Sequence, residues 1–367
     1  MAFEHYIRSG NKLLRCGFTT GSCAALAAAG AVRLLLGGQI PKTVSLMTPK
    51  GLLVEVTPKN CSIEQGEAVC AVRKDAGEDS DVTADALIFA KAIKSDAGGI
   101  FIDGGEGVGR VTKSGLDQPI GAAAINHVPR QMIENEVMAV CDELCYDGGI
   151  KVTISVPNGK ELAEKTFNPK LGIEGGISIL GTSGIVEPMS MQALIDTIAV
   201  ELRQAASEGV KQIIITPGNY GLDFLQKCGV ASLGIPIVKC SNFIGEALDE
   251  AALQGFETVL LVGHIGKLIK LAGGIMNTHS RYADCRTELF CAHGAICGAD
   301  REVCQALMNA ATTDACIDIL DKAELRGAVM ESLINAIERQ LEHRAAGAYR
   351  IGAVIFSNEY GILGKTK

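Results

Sequence analysis

The chain has 367 residues, of which 47% are hydrophobic and 21% charged, a composition typical of a folded globular protein and not of a disordered one. This length exceeds what one hydrophobic core usually supports, so two domains are expected. The 34 basic and 42 acidic side chains give a net charge of −8 without a basic domain, which argues against a general nucleic-acid-binding function.

The N-terminal segment carries Glu4, Arg8, Lys12 and Arg15 and lacks the continuous apolar stretch of a signal peptide. The longest apolar run, 24–32, is too short for the roughly 20 residues that a membrane-spanning helix needs. The 13 cysteines have no repeated spacing and are expected to be reduced thiols. We therefore predict a cytoplasmic protein with neither a membrane nor a nucleic acid as partner.

One cysteine-rich stretch raises the question of a metal site. Structural zinc sites place their cysteines in close pairs, and the gaps here are wider. Burial as small apolar side chains is the better interpretation, and no metal site is predicted. The residues concerned are Cys285, Cys291, His293, Cys297 and Cys304.

The first part of the chain mixes helices and strands without regular alternation. Hydroxyl residues at its start and glycines at its end predict a helix over 19–36. The further predictions are a hairpin at 43–58, an amphipathic helix at 82–95, a strand and glycine turn at 99–112, a helix at 129–145 and a strand at 150–157. This pattern indicates an α+β domain over residues 1–170.

The second part repeats a strand–loop–helix unit four times. Its predicted strands are 176–180, 211–216, 235–240 and 257–263, and its predicted helices are 189–208, 222–228, 243–254 and 266–273. Helices near 300–313 and 322–346 and a strand at 349–356 follow. Apolar, β-branched strands that alternate with helices predict a doubly wound parallel sheet over residues 171–367.

Ligands of such sheets bind outside the carboxyl ends of the strands, where glycine-containing turns lead into helix N-termini. Four turns of this kind share that place in the predicted fold. We therefore predict that they bind a cofactor, through Gly181, Thr182, Ser183, Gly184, Pro217, Gly218, Asn219, Gly263 and Gly266.

The start of the first helix carries more hydroxyls than one N-cap requires. Thr19, Thr20 and Ser22, with Arg15 nearby, would cradle a carboxylate or phosphate of a substrate, although the lysine of a Walker loop is missing. Simple helix capping explains them equally well.

A second glycine pattern, DGGEGVG at 103–109, has the form of a glycine loop that approaches S-adenosylmethionine, but it does not lead into a helix. A structural turn is the alternative. The acidic segment 74–83 fails the calcium-loop pattern and is interpreted as a solvated helix start.

The segment 263–286 is the richest in polar side chains. His264 ends a predicted strand and is a candidate base, as are Asp284 and, in the glycine loop above, Asp103. Lys267, Lys270 and Arg281 are predicted to bind acidic groups of a substrate.

These motifs together resemble one family, the CbiD family of cobalt-precorrin-5B C(1)-methyltransferases. The similarity runs from about residue 14 to 357. Two departures are minor: His127 stands where the family pattern has Pro, and cysteines such as Cys285, Cys291 and Cys297 replace small or aliphatic residues. The motifs that carry it are LRCGFTTGSCAA, KDAGEDSDVT, GGEGVGRVTKSGL, AINHVPR, TFNPKLGIEGGISILGTSGIVEPMS, TPGNYG, KCSNFIGEAL and GHIGKLIKLAGGIMNTHSRYADCR.

The resemblance implies transfer of a methyl group from S-adenosylmethionine to C1 of cobalt-precorrin-5B, giving cobalt-precorrin-6A in anaerobic cobalamin synthesis. It also implies an N-terminal domain like domain 2 of ribosomal protein S5 and a Rossmann-like C-terminal domain. The cobalt belongs to the tetrapyrrole substrate. The sequence does not determine the oligomeric state, and a homodimer is the prior expectation because two-fold dimers are the commonest assemblies.

Two other functions remain open at this stage. One is a nucleotide- or phosphate-dependent enzyme that uses Thr19–Ser22, and the other is a non-catalytic carrier of a cobalt tetrapyrrole. Stabilisation by ATP with magnesium would favour the first. Tight macrocycle binding without a methylated product would favour the second.

Overall fold

The computed structural model describes residues 3–9, 12–188 and 190–366. The chain divides into two compact units, 1–190 and 191–367. The first unit contains strands β1 (Tyr6–Ser9), β2 (Lys12–Arg15), β3 (Gly17–Phe18), β4 (Val44–Met47), β5 (Leu53–Val56), β6 (Lys59–Glu64), β7 (Glu67–Arg73), β8 (Leu87–Ser95), β9 (Ile100–Gly104), β10 (Arg110–Val111), β11 (Gly149–Ser155), β12 (Ile173–Glu174) and β13 (Ile185–Val186). Its helices are α1 (Thr20–Gly37), α2 (His127–Glu143), α3 (Gly159–Glu164) and α4 (Asn168–Leu171).

The first unit is built on a five-stranded sheet in the order β6-β7-β8-β11-β9, in which only the β11–β9 pair is parallel. One face of the sheet packs against α1, because Ile88, Ala90 and Ala92 of β8 alternate into the same core as the alanines of that helix. The predicted α+β class is therefore found in this unit.

Helix α1 is nearly all apolar and begins with Thr19 as its N-cap. Among the described residues it is the one helix long and apolar enough to cross a membrane by length and composition, and 78% of it is buried inside the structure. A core helix of a folded domain has these properties too, and α1 packs on β7, β8 and α2.

Two predictions for the first unit are wrong. Residues 82–95 form no amphipathic helix: 87–95 are β8, which pairs with β7 on one side and β11 on the other. The apolar residues of this segment are spaced as in a helix, but hydrogen bonding to strands on both sides and the alternating burial of β8 determine its conformation. The strand predicted at 176–180, as the first strand of the parallel sheet of the second part, is not formed either. These residues lie in the first unit, where Ile177 and Ile179 form isolated bridges to Val108 and Ile125.

The second unit contains helices α5 (Met191–Ser207), α6 (Asn219–Lys227), α7 (Ile244–Leu253), α8 (Ile265–Leu268), α9 (Arg286–Ile296), α10 (Arg301–Met308), α11 (Thr313–Lys322) and α12 (Arg326–Ala345). Two 3-10 helices, Val230–Leu233 and Ile269–Gly273, accompany them. The strands are β14 (Gln212–Thr216), β15 (Ile237–Lys239), β16 (Thr258–His264), β17 (Arg350–Ser357) and β18 (Gly361–Lys365).

These strands form one sheet in the order β15-β14-β16-β17-β18, parallel except for β18. Apolar side chains cover both faces: Ile213 and Ile215 face a core with α5, α7 and α12, and Ile214 faces the core that includes Leu225 of α6. From β14 the chain moves to β15 on one side and then crosses to β16 on the other. The strand order therefore switches direction between β14 and β16.

The division between the units falls after Ser190, whereas the predicted domains meet at 170/171. The first of the four predicted strand–loop–helix units causes the difference. Its loop returns to the first unit, where β13 pairs with β3 through Ile185 opposite Phe18 and Val186 opposite Gly17. Three parallel strands with following helices, and β17, remain in the second unit.

Candidate functional site

A cavity of about 330 Å³ lies where the strand order of the second unit reverses. The carboxyl ends of β14 and β16 meet there, which is the usual ligand position in an open sheet of parallel strands. Its lining comes from the start of α6, the end of β16 with α8, and the starts of α9 and α11. These residues are Pro217, Tyr220, Gly221, Gly263, His264, Gly266, Lys267, Arg286, Thr312, Thr313 and Asp314.

In the turn between β14 and α6, backbone groups and not side chains are available to a ligand. Gly218 is the N-cap residue of α6 and has φ +120°, a conformation that L side chains rarely adopt. No side chain caps this helix, and the N–H groups of its first turn lack acceptors within the helix. Such a turn is suited to an anionic or polar ligand group.

Lys267 connects two strand ends at this cavity. Its Nζ donates to the carbonyl oxygens of Pro217, at 2.8 Å, and Ser241, at 3.2 Å. Burial lowers the pKa of this lysine below its ordinary value. Because an ammonium has three N–H donors, one remains for a ligand.

His264 ends β16 and caps α8. Its Nδ1 accepts a hydrogen bond from the backbone N–H of Gly266 at 3.1 Å, so a neutral ring carries its proton on Nε2. Burial lowers the pKa of His264, although the nearby Asp314 carboxylate opposes the shift. The geometry thus favours a hydrogen-bond donor at Nε2 over the predicted base.

Lys270 and Asp284 do not line the cavity but are linked by ion pairs to Arg286, which does. Lys270 is buried and donates to the carbonyl oxygens of Thr278 and Ala283, at 3.1 and 2.8 Å. It also lies 3.7 Å from Asp284, which binds both Nε and a terminal nitrogen of Arg286, at 2.5 and 2.9 Å. Lys270 is therefore a structural residue in this geometry, not the predicted substrate ligand.

The hydrogen bond from Arg286 lowers the pKa of Asp284, so this carboxylate stays ionised and is a weak base. In the first unit, Asp103 is likewise an ionised carboxylate. Arg110 donates hydrogen bonds to both of its oxygens, at 2.8 and 3.1 Å, and lowers its pKa. Both predicted catalytic aspartates are ion-pair partners.

Helix α11 supplies a cavity wall that the sequence analysis missed. Asp314, in its first turn, accepts a hydrogen bond from the Ser357 hydroxyl, at the end of β17, at 2.7 Å. Thr313 is 5% exposed and lines the same cavity. Asp314 and Ser357 are 43 residues apart, and no local motif marks either residue.

The hydroxyls at the start of α1 are used within the first unit. Thr19 caps the helix by accepting from the N–H of Ser22 at 3.2 Å, and the Ser22 hydroxyl donates to the carbonyl of Gly184 at 2.7 Å. The Thr20 hydroxyl accepts from the N–H of Leu180 at 3.0 Å. All three hydroxyl residues are buried. Capping explains Thr19, and bonds to the backbone of Leu180 and Gly184 explain Thr20 and Ser22, so the predicted anion cradle is not found there.

The turn 181–184, predicted to bind a cofactor at the parallel sheet, lies against that helix start instead. A Cβ at Gly181 would come within 2.4 Å of Thr19, and a Cβ at Gly184 within 2.8 Å of Thr48. Close packing therefore accounts for these glycines. Thr182 is exposed and the Ser183 hydroxyl donates to the carbonyl of Ile185.

The glycines of 103–109 are also explained by close packing. A Cβ at Gly107 would lie 1.8 Å from the carbonyl oxygen of Val156, and one at Gly109 2.4 Å from Ile173. Of the two interpretations left open by the sequence, the structural turn agrees with these contacts.

The structure also shows the contacts of Arg15 and Arg281, two residues predicted to bind the substrate. Arg15 binds both oxygens of Asp75 at 2.6 and 2.8 Å, so its guanidinium is already paired. Arg281 is exposed in the loop before α9, where its backbone N–H donates to His279 Nδ1 at 3.0 Å.

The acidic segment 74–83 is no solvated helix start but a turn that surrounds a buried ion pair. Lys74, 1% exposed, donates to Asp81 at 2.5 Å. Burial would raise the pKa of Asp81, but the charge of Lys74 and the hydrogen bonds from Lys74 and Thr83 lower it below its ordinary value.

All 13 cysteines are free thiols. Within the described ranges, no group of three or more His, Cys, Asp or Glu side chains could hold a metal ion. Cys285 begins α9 in a left-handed conformation, Cys316 is buried in α11, and Cys291, Cys297 and Cys304 are partly buried.

Comparison with known proteins identifies the family. The CbiD model matches residues 7–188, and the model of the CbiD C-terminal domain matches 277–367. The chain is 47% identical to the cobalt-precorrin-5B C(1)-methyltransferase of Ruminiclostridium cellulolyticum, over 97% of this chain and 92% of the relative. It is 43% identical to the enzyme of the same name from Alkaliphilus metalliredigens, over 98% of this chain and 94% of the relative.

A crystal structure of the cobalamin biosynthesis protein CbiD from Archaeoglobus fulgidus is 30% identical, with a TM-score of 0.41 over 77% of this chain and 87% of that chain. The two family models and the sequence identities over nearly the whole length lead to one conclusion: the chain belongs to the CbiD family.

Proposed function

We propose that this chain methylates C1 of cobalt-precorrin-5B with S-adenosylmethionine as methyl donor, a step of cobalamin biosynthesis. The names of its full-length relatives support the reaction. The observation that supports the location of the cofactor is the cavity at the switch in strand order of the second unit, lined by Pro217, His264 and Lys267. Gly218 directly follows Pro217, and a Cβ added to it would come 3.7 Å from Lys267 Nζ.

The residues present fit such a cofactor. S-adenosylmethionine has a carboxylate, an ammonium, a sulfonium, two ribose hydroxyls and a purine. The cavity offers N–H donors at the start of α6, the Lys267 ammonium, the Asp314 carboxylate and the imidazole of His264. A Cβ at Gly218 would meet only Lys267 Nζ, at 3.7 Å, so the turn leaves room beside its backbone.

When bound, S-adenosylmethionine supplies an electrophilic methyl group on sulfur, and the protein's main task is to position the reactants. The first-turn N–H groups of α6 and the Lys267 ammonium would hold the carboxylate. Lys267 also fixes the turns after β14 and β15 to one another through Pro217 and Ser241. The Lys270–Asp284–Arg286 ion pairs hold the start of α9 at the cavity wall.

We also propose the finer assignments that the family implies. The second unit would be Rossmann-like, which its switched parallel strand order supports, and the first unit would be like domain 2 of ribosomal protein S5. A cytoplasmic location, a tetrapyrrole substrate and a homodimer belong to the same proposal.

Titration calorimetry with S-adenosylmethionine and S-adenosylhomocysteine tests the cofactor site. Wild-type protein is expected to bind both, and Gly218→Val is expected to abolish binding, because valine strains a backbone at φ +120° and fills the space beside the turn. Mass spectrometry of the product, with cobalt-precorrin-5B as substrate, tests the reaction.

Gly209→Val is the matched control. Gly209 has φ +80° at the end of α5 in the same unit, with no atom within 4 Å of an added Cβ. Neither Gly209 nor its chain neighbours line the cavity, whereas Gly218 directly follows Pro217, which does. Equal losses in both variants would indicate general strain. Failure of the wild type to bind either compound, with the macrocycle present, would contradict the proposed function.

A further inference from the structure

The wall of the cavity formed by α11 differs chemically from the wall formed by α6. The α6 side offers backbone N–H donors and the Lys267 cation. The α11 side offers a carboxylate and a hydroxyl, from Asp314 and Thr313. Each wall therefore suits a different part of a ligand.

Thr313 is the first observation that points to a ligand here. Its side chain is 5% exposed and lines the cavity, and its hydroxyl has no hydrogen-bond partner among residues 3–9, 12–188 and 190–366. A Cβ added to Gly266 would come 3.7 Å from this hydroxyl, so Thr313 faces the turn that follows β16. A hydroxyl that lines a cavity and has no partner within the chain can hydrogen-bond a ligand bound there.

Asp314 is the second observation. One carboxylate oxygen is fixed by the Ser357 hydroxyl at 2.7 Å, which positions the side chain and leaves the other oxygen as an acceptor. Its charge acts on His264, whose Nε2 is the donor in the neutral ring. An acceptor, a donor and a hydroxyl thus line the same cavity.

A carboxylate, a hydroxyl and an imidazole N–H in one cavity favour some chemical groups of a ligand over others. A carboxylate or phosphate would be repelled by Asp314, and a cation would find donors from His264 and Lys267 in the same cavity. A pair of neighbouring hydroxyls both donates and accepts, so it can satisfy all three side chains.

We propose, on the basis of the proposed function, that Asp314, Thr313 and His264 bind the ribose diol of the methyl donor. Ser357 is then a positioning residue that acts through Asp314. The amino-acid end of the donor would lie at α6 and Lys267.

Calorimetry with S-adenosylhomocysteine and 5′-methylthioadenosine tests this assignment, because both carry the ribose and only the first carries an ammonium. Asp314→Asn is expected to weaken both by the same factor, roughly 10- to 100-fold for loss of hydrogen bonds to a charged group. Thr313→Val is expected to weaken both by roughly 3- to 10-fold, since a neutral hydrogen bond contributes less. The 2′-deoxy and 3′-deoxy forms of 5′-methylthioadenosine should bind the wild type more weakly, and Asp314→Asn should reduce that difference.

Asp318→Asn is the control, one turn further along α11, where the carboxylate accepts from the Tyr360 hydroxyl away from the cavity. It should leave both affinities unchanged. Three results would overturn the assignment: unchanged binding in Asp314→Asn, a loss for S-adenosylhomocysteine alone, or deoxy effects of equal size in wild type and variant. Absence of S-adenosylhomocysteine binding to the wild type would overturn the proposed function and this inference together.

Discussion

The buried ion pair between Lys74 and Asp81 permits a quantitative prediction for the first unit. Lys74 is 1% and Asp81 24% exposed, and their Nζ–Oδ2 distance is 2.5 Å. Lys74→Met removes the cation and leaves the carboxylate with Thr83 as its remaining partner, which donates through N at 2.7 Å and Oγ1 at 2.6 Å. A partly buried charge without its counterion is costly, because solvation does not replace the lost attraction.

Breaking a fully buried pair costs about 3–5 kcal/mol, and the partial exposure of Asp81 reduces this, so we expect about 2–4 kcal/mol for Lys74→Met. The matched control is Lys91→Met. Lys91 pairs with Glu67 at 3.1 Å on the same sheet, where the two side chains are 43% and 47% exposed. Exposed pairs contribute about 0–1 kcal/mol, so this variant should stay within that range.

The assay is urea-dependent hydrogen exchange of the β7 and β8 amides, which follows the first unit separately from the second. Lys74→Met should lower the free energy of opening of these strands, and the double variant Lys74→Met/Asp81→Asn should recover part of the loss, because it removes the unpaired charge. Equal effects of Lys74→Met and Lys91→Met would refute the reasoning.

The same pair predicts a pH dependence. The native pKa of Asp81 is lowered from its ordinary 3.8, so its stabilisation is present above pH 3.8 and is lost as the pH falls through the native pKa. The difference between wild type and Asp81→Asn should therefore shrink in acid. A difference that grows below pH 3.8 would contradict this sign.

Three further predictions concern the helix starts. Gly218→Ala should lower the affinity for S-adenosylhomocysteine, as measured by calorimetry. It should also lower the free energy of unfolding of the second unit by about 1–3 kcal/mol, as measured by urea unfolding, because alanine is strained at the positive φ of this position. The native pKa of His264 is lowered from 6.5. Below that pKa a proton on Nδ1 breaks the hydrogen bond from the Gly266 N–H, so the affinity for S-adenosylhomocysteine should fall as the pH is lowered. The affinity of His264→Asn should not change over the same pH range. Ser22→Ala should destabilise the first unit by about 1 kcal/mol through loss of the bond to Gly184, and an accompanying loss of S-adenosylhomocysteine affinity would show that the α1 start is part of the cofactor site.

Local patterns determined much of the fold. The runs 211–216 and 257–263 are apolar and β-branched and end in glycine turns, and they form the parallel strands β14 and β16. The turns Pro217–Asn219 and Gly263–Lys267 consequently lie together at the cavity, as the sequence analysis expects of strand ends in one sheet.

Tertiary structure decided the rest. The segment 87–95 is a strand because β7 and β11 supply hydrogen-bond ladders on both sides, a pairing that a spacing pattern does not contain. A turn with glycines and hydroxyls can bind a ligand or its own chain, and only contacts distinguish the two. The hydroxyls of Thr19 and Ser22 bond to the chain itself. Thr313 and Asp314, which no local pattern marks, line the cavity because the first turn of α11 lies at the end of β17, where Asp314 bonds Ser357.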